Sequence, residues 1–117
     1  MTLYRYMEDS DVHVIDCAGG VDLEIGLAHW KTVQLELEAR PIQGPWRKLL
    51  IDFRGTIWAS EEVHMQLSAI TRRDFGLNAS NTAIRVAVVN HRWSGLISEN
   101  ERWFASESDA LDWLCGH

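Results

Sequence analysis

The chain has 117 residues and a formal net charge of -6, with 46% hydrophobic and 24% charged residues. That length predicts one domain over residues 1–117 with a single core, and the composition excludes wholesale disorder. The acidic balance opposes nucleic acid, whose phosphates need clustered Lys and Arg, and the strongest apolar run, Val86 to Val89, is far too short for membrane insertion.

From the first residue onward, "LYRYM" and "VHVIDCA" flank the turn-forming "EDSD", which predicts an antiparallel pair of strands. Gly19-Gly20 is expected to end the second strand, and Asp22 to cap a helix by accepting from its first-turn N–H groups. Leu23, Leu27, Trp30, Val33 and Leu37 then recur at helical spacing, although Val21, Leu23, Ile25 and Leu27 also alternate as a strand would, and Gly26 weakens a helix. The longer stripe decides for helix. "RPIQGPW" stops it by Arg40.

"KLLIDF" reads as a central strand covered on both faces, followed by a turn and a helix over roughly Glu61 to Arg73 with Val63, Leu67 and Ile70 inward. "AIRVAVVN" is the second continuous apolar strand, and its β-branched content favours that over a buried helix. "HRWSGLI" is read as one or two helical turns and "RWF" as a short edge strand. Ser106, with Asp109 three residues on, starts a last helix whose Ala110, Leu111 and Leu114 face inward. The order implies an α/β fold with a mostly parallel four- to five-stranded sheet and crossover helices.

These segments together resemble the SpoIIAA-like family, relatives of the STAS domains of anti-sigma-factor antagonists and sulfate-transporter tails. The resemblance rests on the Gly20-Val21-Asp22 turn, on "LLIDFRG" and "IRVAVV" as successive strands, and on "WFASESDALDWL" as the closing strand and helix. It implies a SpoIIAA-like, STAS-like fold, no cofactor, and a role in protein interaction rather than catalysis.

In the antagonists this resemblance points to, a phosphorylated serine opens the helix after the central strand within an Asp-Ser-x-Gly pattern. The corresponding residues here are Ser60-Glu61-Glu62-Val63. Counting from Asp52, Glu61 falls at the phosphoacceptor slot, Ser60 stands where the family has aspartate, and Val63 replaces the glycine. Phosphorylation of Ser60 is therefore disfavoured, and Glu61 would present a fixed negative charge where the antagonists toggle one. The plainer reading is that Ser60 caps the helix while Glu61 and Glu62 favour its dipole.

Other chemistry finds little support. Ser60 and His64 stand four apart, but the nucleophile elbow Gly-x-Ser-x-Gly is missing. Glu61-x-x-His64 is a single half of a helical metal-ligand pattern, and His13, His29, His91 and His117 are scattered. Cys17 and Cys115 read as small core residues, and with no basic-then-apolar leader the expected location is cytoplasmic.

Six tryptophans are the unusual feature. Trp30 and Trp113 suit the core, whereas Trp46, Trp58, Trp93 and Trp103 are expected in loops or at element ends. Trp58 and Trp93 lie beyond the C-terminal ends of parallel strands, where such sheets bind ligands. The expected interaction surface is Trp58, Ser60, Glu61, Glu62 and Trp93, for an unidentified protein partner or a second copy in a homodimer; the alternative is a small-molecule or lipid-binding carrier.

Overall fold

A computed structural model of the chain describes residues 2–40, 47–75, 84–91, 94–97 and 99–116. Six strands, β1 (Thr2–Met7), β2 (Val12–Val21), β3 (Arg47–Trp58), β4 (Ile84–Val89), β5 (Gly95–Leu96) and β6 (Glu101–Phe104), form one sheet in the order β1-β2-β3-β4-β6-β5. The helices are α1 (Leu23–Glu38), α2 (Glu61–Phe75) and α3 (Glu107–Leu114). The middle strands β2, β3, β4 and β6 are parallel, and β1 and β5 close the two edges antiparallel.

The two-residue period of the strands sorts the core into two halves. Val12, Val14, Leu50, Ala87 and Val89 face α3 through Ala110 and Leu114. Ile15, Leu49, Ile51, Val86 and Val88 face the other way, towards Trp30, Val33 and Leu37 of α1. Because both faces are covered, β3 and β4 read as continuous apolar runs. The caps are those expected: Asp22 accepts from Ile25 N–H at 2.8 Å and Ser106 from Asp109 N–H at 3.2 Å.

Several expectations are corrected. Among the described residues the sheet has six strands instead of four or five, because Gly95–Leu96 pairs with β6. Those two residues fall within the "HRWSGLI" segment expected to be helical, and a glycine beside a β6 rich in aromatic and long side chains satisfies its backbone through the sheet. For the same reason "RWF" is flanked on both sides and is not an edge. Gly19-Gly20 does not end β2, and no turn follows "KLLIDF" directly, since both strands stay paired through Val21↔Trp58.

That last difference shapes the molecule's working edge. The β3–β4 ladder stops at Asp52↔Val89, but β2 and β3 continue together as a two-stranded arm. The register shifts between Asp16 and Ala18, so that Phe53 and Arg54 of β3 stand opposite Cys17 alone. Such a bulge bends a strand and re-aims its side chains. The arm ends at Trp58, separated from α2 by Ala59 and Ser60.

A candidate site at the C-terminal edge of the parallel strands

Ser60 begins the site as a helix cap. Its Oγ accepts from Val63 N–H at 3.1 Å, and its carbonyl from His64 N–H at 3.3 Å. Glu61 and Glu62 follow, both exposed, at the helix end whose dipole favours negative charge. One turn in, His64 points inward beside Leu67, the i, i+3 partner on the buried side of α2.

His64 meets a set of aromatic rings delivered by different strands. Its imidazole stacks on Trp58 with centroids 4.4 Å apart and planes 14° from parallel. Trp103 of β6 lies 5.9 Å away on a similar plane, and Phe53 of the bulge meets His64 edge-on at 6.3 Å. Phe53 also contacts Trp58 edge-on at 5.1 Å. Tilted and offset arrangements of this kind are the favourable ones for rings.

Charged groups fix the surroundings. Glu101 of β6 is 4% exposed and receives both Nε and Nη2 of Arg72 at 2.9 Å, together with the indole N–H of Trp103 at 2.6 Å. The Glu101 bond holds the Arg72 guanidinium above its usual range. Across the edge, Asp52 binds Arg54 through its side chain and its backbone N–H. Burial pushes the Asp52 carboxyl up, but Arg54 hydrogen bonds and the Arg54 and His91 charges outweigh it, and the net direction is down.

A groove of about 310 Å³ opens at this edge, lined by Phe53, Arg54, Trp58, His64, His91 and Trp103 among others. A second space, about 90 Å³ and almost wholly apolar, lies between the sheet and helices α1 and α2. Among the described residues no group of three His, Cys, Asp or Glu could hold a metal ion, and no helix is long and apolar enough to cross a membrane.

Trp58, Ser60, Glu61 and Glu62 are thus brought together where the sequence places them, while Trp93 and Trp46 lie outside the described residues. Trp58 is half-buried against His64 and is not a free-standing surface ring. Trp103 sits within β6 instead of at an element end. His64 and Phe53 lie outside the expected interaction surface. The helical spacing Ser60, His64, Leu67, Thr71 held the signal for His64, because it sets that histidine on the inward stripe.

This architecture is similar to that of a solved structure. It is an uncharacterised protein of the DUF3478 family from Shewanella loihica PV-4, described as having a SpoIIAA-like fold, 22% identical over 98% of this chain and 93% of that one, with a TM-score of 0.55. The fold is SpoIIAA-like. No family profile matches the sequence, and no curated protein does. In this SpoIIAA-like sheet the groove and the start of α2 share the edge beyond the parallel strands' carboxyl ends.

Proposed function

We propose that this protein is a cytoplasmic, non-catalytic interaction module that docks another protein, a second copy of itself being the first candidate, through the edge formed by Trp58, Ser60, Glu61 and Glu62. The observation that carries this reading is the company those residues keep. Ile57 at the end of β3 is 70% exposed and Met65 on α2 66% exposed, on either side in sequence of the exposed Glu61 and Glu62. Large exposed apolar side chains in the company of charge are the composition of docking surfaces.

Ser60 supports the same reading in a negative way. Its hydroxyl oxygen is engaged by its own helix, which favours a cap over a nucleophile or a phosphorylation site. The carrier reading draws on less: the almost wholly apolar space of about 90 Å³ is well below the roughly 300–1,000 Å³ of ligand pockets, and the groove of about 310 Å³, at the bottom of that range, is lined in part by the polar Arg54, Asn90 and His91.

Native mass spectrometry of the purified protein, with an Ile57→Asp/Met65→Asp variant beside it, tests the proposal. A dimer without added mass that dissociates in the variant supports it. A retained mass of a few hundred daltons, on the order expected for a carried ligand, overturns it in favour of the carrier. A dimer that the variant leaves intact moves the interface elsewhere on the molecule.

A further inference from the structure

The aromatic walls of the groove already enclose a potential cation. His64 is 8% exposed, with the indoles of Trp58 and Trp103 both stacked near it and Phe53 meeting it edge-on. One turn earlier, Glu61 Oε1 stands 3.7 Å from His64 Nδ1. Indole faces attract cations, and a carboxylate at that range favours the protonated imidazole. Donation of the Trp103 N–H to Glu101 polarises that indole towards a stronger interaction. Burial acts in the opposite sense, because an imidazolium loses water here. Two indole rings and one carboxylate converge on this one imidazole.

We propose that His64 is a proton-operated switch of the docking surface. On protonation the imidazolium is held by Trp58 and Trp103 and draws the Glu61 carboxylate onto itself, which withdraws that charge from a docked partner. On deprotonation Glu61 is released to the surface beside Glu62. The consequence for docking rests on the interaction reading above; the switch itself lies within the chain.

The other charged and titratable groups around His64 are Glu62 and Arg72 on its own helix, Arg54 on β3, His91 after β4, Glu101 on β6 and His29 on α1. Arg72 and Glu101 neutralise one another, and Arg54 is held by Asp52. Glu61, the carboxylate within 4 Å on an exposed and adjustable side chain, is the group that responds.

Proton NMR titration of the His64 Cε1–H resonance, in wild type, Glu61→Gln and Trp58→Leu, measures the switch directly. Glu61→Gln is expected to weaken the proton affinity of His64 by at least roughly threefold, and Trp58→Leu to weaken it as well. In the wild type the Trp58 indole N–H resonance should shift with the same midpoint. If Glu61→Gln leaves the midpoint unchanged, or His64 stays neutral down to acid unfolding, the switch is overturned. Glu61 is an exposed side chain, so its variant decides the matter even where Trp58→Leu fails to fold. Measuring partner or self-association on both sides of the midpoint then separates the two readings. Association absent on both sides overturns the docking reading alone, and association insensitive to the proton while His64 titrates overturns the proposed consequence of the switch.

Discussion

Gly26, the fourth residue of α1, faces Leu67 of α2 so closely that a β-carbon there would collide with Leu67 Cδ1 and come within 2.9 Å of Cδ2 and 3.2 Å of Cγ. Its missing side chain is what lets the two helices approach. Alanine would add about 1 kcal/mol of helix propensity, but overpacking against a buried leucine costs about 1–3 kcal/mol. Gly26→Ala should therefore destabilise the protein by about 1 kcal/mol, the difference of those two effects. In a Leu67→Ala background the collision is gone and only the propensity remains, so the same substitution should stabilise by about 1 kcal/mol. Urea denaturation of the four proteins checks the reversal of sign. Equal effects in both backgrounds would mean that the contact does not explain the glycine.

At the scale of elements, α2 is defined at its start by Ser60. Ser60→Ala should cost about 1 kcal/mol, because Val63 N–H loses its acceptor. Ser60→Asp should leave stability near wild type, since aspartate caps as well and also suits the helix dipole. A thermal melt of both variants distinguishes a cap from a residue with some other duty: two silent substitutions would remove the cap. Capping, period and β-branched runs were legible in the sequence because each is a local pattern, which is why α1, α2, β3, β4 and α3 fall where expected. The arm was not. Gly19-Gly20 reads as a break and a turn is expected after "KLLIDF", yet the parallel partner keeps both strands extended to Val21 and Trp58. The aromatic set around His64 was hidden for a related reason, because Phe53, Trp58, His64 and Trp103 come from β3, α2 and β6 and meet only when the sheet order is known.

For the whole molecule, the acid side of the stability curve should depend on a histidine far from the working edge. His13, near the start of β2, is 2% exposed, shares a 2.6 Å hydrogen bond between its Nδ1 and the Tyr4 hydroxyl, and packs 5.0 Å from the Tyr6 ring. Burial lowers its proton affinity, the Arg47 and Arg40 charges lower it further, Asp11 opposes them, and the net direction is down from 6.5. The unfolded chain then binds the proton more tightly than the native one. Its contribution to stability is complete above pH 6.5, is lost as pH falls from there through the lower native value, and is constant below it, with a slope of at most about 1.4 kcal/mol per pH unit. The bare pH profile sums the contribution of His13 with that of every other group that titrates over the same range. The difference between wild type and His13→Asn isolates the first. Urea midpoints from neutral pH into acid should fall more steeply for wild type than for the variant, whatever stability the variant loses at neutral pH through the missing Tyr4 bond. Parallel profiles would show that His13 titrates alike in the native and unfolded chains, and that its burial among Tyr4 and Tyr6 exerts no pull on the acid stability of the fold.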